Sequence, residues 1–340
     1  MAGQMLRAID RRLAAGGVGA PAGLLLPPGG MPPPLRAMTV RRVAGAGRSL
    51  HAWEQLRLPR AARGGLLLNL SGSAPALAAP QVCFVHDAAV FDHPEAYTAA
   101  FRQWYRFLFR RLSRTARLLF TVSAFSRARL AVALGVPQDR ILVVPNGADH
   151  LADVVADTSV LATHGLADHP FLLAVGSANP TKNLATLLDA WRVLNRGDTA
   201  RLVLVGGNNA RVFADHRHVE VPGLVRLGHV GDAALKALYG RAVGLVFPSI
   251  YEGFGMPPLE AMACGCPVAA STAASLPEVC GGAALEFDPH SVSAIAAAMR
   301  ALLDDAALRE RLRVLGLRRA AGYRWDDAAA LLLGHLETVR

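Results

Sequence analysis

Residues 243–271 read "VGLVFPSIYEGFGMPPLEAMACGCPVAAS". The opening "VGLVFPS" is a short apolar run ending in small and polar residues, as a strand buried on both faces of a parallel sheet does. "IYEGFGM" then carries two glycines that let backbone pass close to a ligand. Pro257 and Pro258 suit the first turn of a helix, which puts Glu260 in that turn, and Gly265 ends it. "PVAAS" is again a short apolar strand. Strand, loop, helix, strand makes a right-handed crossover unit.

The same alternation runs outward on both sides. Towards the N-terminus lie strands in "ARLVLVGG" and "HPFLLAVGS", with helices in "DAALKALYGRA" and "NLATLLDAWRVLN". "AALEFD" is a last short strand, and three helices follow in "SVSAIAAAMRALLDD", "AALRERLRVLGLRRAA" and "WDDAAALLLGHLETV". An earlier set holds "GLLLNLSG", "QVCFVHD", a helix over 95–119, and "ARLLFTVSAFSRARLAVALG", with Ser123 as N-cap and Gly135 as stop. "RILVVPNGAD" closes that set. Residues 17–48 suit loops around one short strand in "AGLLLPPGG". Two α/β sets predict two Rossmann-like, doubly wound parallel-sheet domains. The expected boundaries are 1–150 and 151–325, with a helix over 326–340 crossing back to the first domain. A length of 340 residues fits two domains of ~150 each. Ligands in such sheets lie at the carboxyl ends of strands, so a cleft between facing domains is the expected site.

Charge is unevenly spread. Residues 1–150 hold 19 arginines, no lysine and 7 acidic residues, a formal +12, whereas 151–340 hold 17 basic and 19 acidic residues, a formal −2. The basic half suits nucleic acid, anionic lipid or acidic substrates. No nucleic-acid module stands out, so nucleic acid is not expected as a partner. Cys83, Cys264, Cys266 and Cys280 form no C-x-x-C pair and have no histidine at zinc spacing, which suggests reduced thiols and no metal centre. No apolar run reaches the ~18–20 residues of a membrane span. "MAGQMLRAIDRRLAAGG" reads as a short helix and not as a signal peptide. The expected location is the cytoplasm.

Three further features carry chemistry. In "VGSANPTKNL", residues 175–184, Gly176 and Ser177 end a strand, and Lys182 stands just before a helix. A helix start and a lysine suit a phosphate, and equally a solvated cation at a helix end. "CFVHDAAVF" places His86 and Asp87 at the end of an apolar strand, where a histidine either binds a ligand or caps the strand; Asp92 and His93 are weaker candidates. In "FRQWYRFLFRRLSRTARLL", Arg102, Arg106, Arg110 and Arg114 recur at helical spacing among aromatic residues. That pattern fits an anionic membrane surface, or an ordinary amphipathic helix with solvated arginines.

Residues 246–289, "VFPSIYEGFGMPPLEAMACGCPVAASTAASLPEVCGGAALEFDP", resemble the E-x7-E region of family 4 glycosyltransferases, retaining enzymes of the GT-B fold. "VGSANPTKNL", "LVLVGG", "GHVGDAALKALY", "VVPNGAD" and "TVSAFS" match the same family in the same order, over roughly residues 80–340. "VHDAAVFDHPEAY" resembles its mannosyltransferase and O-antigen branch. The resemblance implies that Glu260 holds the ribose of a nucleotide sugar and that Glu252 contacts the donor sugar. Phe254, Gly255 and Met256 would face sugar and diphosphate. Lys182 would bind the diphosphate, with Gly176, Ser177 and Asn183 beside it, and His86 would touch sugar or acceptor, with Asp87 on the acceptor side. Glu252, His86 and Lys182 are thus the expected catalytic residues. Relatives often carry an arginine where this chain has Thr181 or Ser177, so leaving-group stabilisation would rest on Lys182 and the helix start. No Asp-x-Asp motif occurs, which suits metal-independent transfer with no cofactor beyond the donor.

The implied activity is transfer of a hexose, mannose or rhamnose, to a glycan or lipid-linked acceptor, with retention, in polysaccharide biosynthesis. Two other readings remain: a nucleotide-sugar epimerase of GT-B fold, and a non-catalytic homologue acting as a membrane-surface partner. One departure stands out. Relatives open with a strand and a glycine-rich loop, whereas "MAGQMLRAIDRRL" resembles the helix after that loop, so the first strand is expected to be missing.

Overall fold

The apolar runs become strands of three parallel sheets. The computed structural model describes all residues except 17–20, 46–48, 79, 178, 197, 207–220 and 340. Gly207, the last residue of "LVLVGG", therefore lies outside the described residues. The chain divides into two compact units, Met1–Gly147 with Arg324–Arg340, and Ala148–Tyr323.

The first unit holds β1 (Gly23–Leu26) and β2 (Thr39–Arg42), which pair with each other. It also holds β3 (Leu67–Asn69), β4 (Gln81–Phe84), β5 (Leu118–Thr121) and β6 (Ile141–Val143), neighbours in that order. β4 is buried along its whole length. Helix Ala99–Thr115 packs Leu108 and Leu112 onto this sheet's core, with Leu119, Leu130 and Ile141. It is shorter than the expected 95–119. The Thr98 side chain accepts from the Phe101 N–H, and Ala116 turns extended to enter β5. Ser123 accepts from the Ser126 N–H at 3.0 Å and Gly135 closes that helix at φ +66°, as expected from sequence. β2 is a correction to the loop reading of residues 17–48, and helix Leu50–Leu56 follows that stretch. All four β2 residues, "TVRR", are exposed, so no apolar signal marks them. The last helix, Trp325–Glu337, packs on helix Ala2–Ala14, where Arg12 Nη2 lies 2.7 Å from Asp326 Oδ2.

The second unit holds β7 (Phe171–Val175), β8 (Arg201–Val205), β9 (Leu224–Gly228), β10 (Gly244–Phe247), β11 (Val268–Ser271) and β12 (Leu285–Phe287). Their order is β12-β11-β10-β7-β8-β9, all parallel. The chain winds outward through β8 and β9, then returns to β10 on the other side of β7. β7 and β10 are therefore neighbours at the point where the winding reverses, the place in such a sheet where ligands bind at the carboxyl ends of the strands. Leu187, Leu188 and Trp191 from helix Leu184–Leu194, with Ile295, Met299 and Leu302 from helix Val292–Asp304, form the core against Leu172, Leu202 and Val246. β9 was not legible as a strand. It is a half-exposed edge carrying Arg226, with no continuous apolar run.

Candidate active site

The loop leaving β7 is fixed by close backbone packing and one cap. Gly206 has φ +132°, and a Cβ there would stand 1.8 Å from the Gly176 carbonyl oxygen, so only glycine lets the ends of β7 and β8 approach so closely. Asn179 Oδ1 accepts from the Thr181 N–H and hydroxyl, both at 2.9 Å, and closes a tight turn over Pro180–Lys182. Ser177 is exposed and Gly176 half-buried. Asn183, at φ 56°, donates its amide to Pro248 O at 3.1 Å and Pro289 O at 2.7 Å, and accepts from Thr186 Oγ1 at 2.6 Å. Its side chain thus braces the loops after β7, β10 and β12.

The loop leaving β10 meets the first loop. Ile250 N–H donates to Thr181 O at 2.8 Å, and Lys182 Nζ lies 2.6 Å from Glu252 Oε1. Both side chains are mostly buried, at 24% and 12% exposure, so the charges are paired in a partly desolvated place. Ser275 Oγ donates to Glu252 O and Phe254 O, each at 2.9 Å, which pins the loop from behind. The buried Phe254 ring stands edge-on to Tyr323, 5.7 Å between centroids, and Arg319 lies over Tyr323.

Gly255 caps helix Met256–Ala263 at φ +105°, and a Cβ there would be 2.7 Å from Leu276 Cδ2. The first N–H groups of a helix lack intrahelical acceptors. Pro257 and Pro258 have none to offer, so Gly255 and Met256 are the donors at this end. Glu260 is the fifth helical residue, in the second turn rather than the first. The reason is the cap at Gly255, which starts the helix at Met256. Glu260 is therefore not a partner of the helix end but is held laterally. Tyr239 OH donates to Oε2 at 3.2 Å, and His150 Nε2 lies 3.3 Å from Oε1. Tyr239 is fully buried, and burial, then the Glu260 charge, push its phenol well above the ordinary 10, so it stays a donor. Sequence reasoning missed Tyr239, His150 and Ser275. "DAALKALYGRA" carries a helix signal with nothing to single out Tyr239, and "VVPNGAD" stops one residue before His150.

In the first unit, His86 and Asp87 follow β4. His86 Nε2 lies 3.1 Å from Leu70 O, while its buried Nδ1 has no partner among the described residues. Burial lowers its pKa below the ordinary 6.5, although the Leu70 carbonyl acts the other way. A neutral ring donating from Nε2 leaves Nδ1 an acceptor. Asp87 Oδ1 accepts from the Ala89 N–H at 2.8 Å. Asp92 is paired with Arg129 at 2.6 Å, and His93 with Glu95 at 3.0 Å.

The four arginines of helix Ala99–Thr115 divide. Arg102 donates to Pro94 O at 3.4 Å, and Arg106 to Val90 O at 2.9 Å and Phe91 O at 3.3 Å, so both hold the segment after His86 and Asp87. Arg110 and Arg114 are exposed, and Phe107 between Arg106 and Arg110 is 52% exposed. Among the described residues no helix is long and apolar enough to cross a membrane, and no group of three or more His, Cys, Asp or Glu side chains could hold a metal. All four cysteines are free, and burial raises Cys83, Cys266 and Cys280 to about 12.

Comparison with known proteins fits this geometry. A family model described as "Glycosyl transferases group 1" matches residues 162–316, and one described as "Glycosyltransferase Family 4" matches residues 33–150. The chain is 34% identical over 254 residues to the O-antigen chain mannosyltransferase B of Escherichia coli, covering 71% of this chain and 66% of that protein. It is 30% identical to the serotype-specific mannosyltransferase WbdA of Escherichia coli over 267 residues, 74% of this chain and 32% of WbdA. The chain thus spans about a third to two thirds of these relatives' length. In fold it is similar to Anabaena HepE, solved in complex with UDP and glucose, at TM-score 0.76 and 18% identity, covering 99% of this chain and 96% of that one. These relatives lend no support to the epimerase or the non-catalytic reading. Two parallel-sheet α/β units, the E-x7-E loop and helix, and the two family matches agree: the chain belongs to the family 4 glycosyltransferases of GT-B fold.

Proposed function

We propose that this protein is a retaining glycosyltransferase that moves a hexose, mannose, from a nucleoside diphosphate sugar to a glycan or lipid-linked acceptor. The observation that carries this reading is the convergence of Lys182 and Glu252, 2.6 Å apart, at the adjoining carboxyl ends of β7 and β10. The sugar's C1–O bond to diphosphate breaks, a C1–O bond to the acceptor forms, and the acceptor's proton leaves with the diphosphate. Negative charge grows on the leaving diphosphate, where the Lys182 ammonium and the Gly255 and Met256 N–H groups answer it. Donor entry requires Lys182 to exchange Glu252 for phosphate, which frees Glu252 for the sugar hydroxyls. Glu260, held on both oxygens, takes the ribose. His86, neutral and with an unused acceptor nitrogen, serves the sugar or acceptor, with Asp87 bracing the following turn.

Mannose is supported by the names of the two relatives. No metal is required in this scheme, because the positive charge comes from Lys182 and the helix end. The exposed Phe107, Arg110 and Arg114 support contact with an anionic membrane surface, where lipid-linked acceptors reside. A donor screen with the full chain tests the function, scoring nucleoside diphosphate release with and without acceptor, with EDTA in a parallel arm. GDP or UDP released from a mannosyl donor only with acceptor, and undiminished by EDTA, is the expected result. Turnover of the donor to an isomer without acceptor contradicts it.

A further inference from the structure

The chain has 34 arginines and two lysines. One lysine is Lys182. The other, Lys236 on helix Asp232–Arg241, aims its Nζ at three carbonyls at once: Leu151 O at 2.7 Å, Ala152 O at 2.8 Å and Val154 O at 2.8 Å. These carbonyls belong to the turn Asp149–Leu151 and the bend after it, where Leu151 O also accepts from the Val154 N–H at 3.2 Å. An ammonium is a compact charge with three N–H groups set as a tripod. A guanidinium is a planar fork that suits side-by-side acceptors and not three converging ones. A lysine here, in a chain that otherwise uses arginine, answers that geometry.

What the tripod holds in place is His150. This residue lies inside the capped turn, and its Nε2 is 3.3 Å from Glu260 Oε1. Three residues beyond Lys236, on the same face of the same helix, Tyr239 reaches Glu260 Oε2 at 3.2 Å. One helix thus fixes both oxygens of Glu260, directly through Tyr239 and through the Lys236-capped turn and His150. A second tie, Asp157 N–H to Ala233 O at 3.0 Å, keeps the segment after the turn on that helix. The His150 and Glu260 side chains are 10% and 13% exposed, so the carboxylate has little water to orient it.

We propose that Lys236 is a positioning residue for the donor nucleotide: it sets the Glu260 carboxylate through the 149–154 turn and His150. This rests on the reading of Glu260 as the ribose ligand. The hydroxyls of a ribose need two acceptors in a fixed plane, and a carboxylate free to rotate offers them only part of the time.

The test is calorimetric titration of GDP and of UDP into the full chain, with donor KM and kcat alongside, for Lys236→Arg, Lys236→Met, His150→Ala, the double variants and Glu260→Ala. Lys236→Arg should weaken binding of the preferred nucleotide about 5–10-fold, the scale of one lost ordinary hydrogen bond. It should raise donor KM by a larger factor than it lowers kcat. In the His150→Ala background, Lys236→Met should weaken binding no further, as two residues acting in series do. Wild-type affinity in Lys236→Arg and Lys236→Met, together with lost binding in Glu260→Ala, overturns this inference and leaves the ribose reading standing. Wild-type affinity in Glu260→Ala overturns the ribose reading itself. Additive losses in the double variant reduce Lys236 to general support of the fold and overturn the inference. Should the Lys236 variants fail to fold, His150→Ala decides, because it leaves the tripod intact: unchanged nucleotide binding there also overturns it.

Discussion

Lys182 and Glu252 are 70 residues apart in the chain and 2.6 Å apart in the fold. They meet because β7 and β10, which their loops leave, are neighbours in a sheet whose winding reverses between them. The ion pair satisfies both charges; under the proposed function a donor's phosphates would replace the carboxylate at Lys182.

Under the proposed function, removing Lys182 deletes the point charge that answers the leaving diphosphate; it also takes away the Glu252 ion-pair partner. Lys182→Ala is expected to lower kcat by about 10²-fold, the scale of one transition-state donor. Steady-state rates at saturating donor measure it. A kcat within a few-fold of the wild type contradicts the assignment.

Much of this site was legible in sequence, for physical reasons. "VGLVFPS" and "HPFLLAVGS" are buried strands, and buried parallel strands announce themselves as continuous apolar runs. Glu252 and Lys182 could then be set on the loops that leave those strands, and Glu260 on the helix that follows. What escaped the sequence was lateral support. Tyr239 and Lys236 lie on a helix read only as a helix, and their partners, Glu260 and the carbonyls of 151–154, are distant in sequence. The position of Glu260 was misjudged by one turn because the cap is Gly255 and not a later residue. β2 and β9 escaped because an exposed or half-exposed edge carries no apolar signature.

Gly255 combines φ +105° with a neighbour 2.7 Å from where a Cβ would stand. Gly255→Ala is expected to cost about 1–3 kcal/mol of stability, from backbone strain and the clash with Leu276. It should also raise donor KM, because the strained turn orients the Met256 N–H. Urea midpoints and kinetics on the same preparation check both. An unshifted midpoint contradicts the structural basis of this turn.

His86 gives a pH dependence of defined sign. Its folded pKa lies below the ordinary 6.5. As pH falls through about 6.5, the unfolded chain takes up a proton that folded His86 refuses, so stability drops towards the lowered folded value and is flat above. His86→Gln removes that contribution. Tm measured at pH 7.5 and 5.5 should fall more for the wild type than for the variant. Equal falls contradict the buried neutral state.

The outward part of helix Ala99–Thr115 carries Phe107, Arg110 and Arg114, while Arg102 and Arg106 are spent on carbonyls of the same unit. Only the outward residues should matter for a membrane. Flotation with vesicles containing anionic lipid is expected to carry the wild type upward and to lose the Arg110→Glu/Arg114→Glu variant, with binding weakened by salt. Undiminished flotation of that variant contradicts membrane contact through this helix.

Under the proposed function the second unit binds a nucleoside diphosphate through Glu260. Titration calorimetry of GDP and UDP into the wild type and Glu260→Ala measures this binding. The expected result is one nucleotide bound by the wild type, with affinity reduced at least about 10-fold in the variant, the scale of a lost charge-assisted pair of hydrogen bonds. Equal affinity in wild type and variant, or no binding of either nucleotide to the wild type, contradicts it.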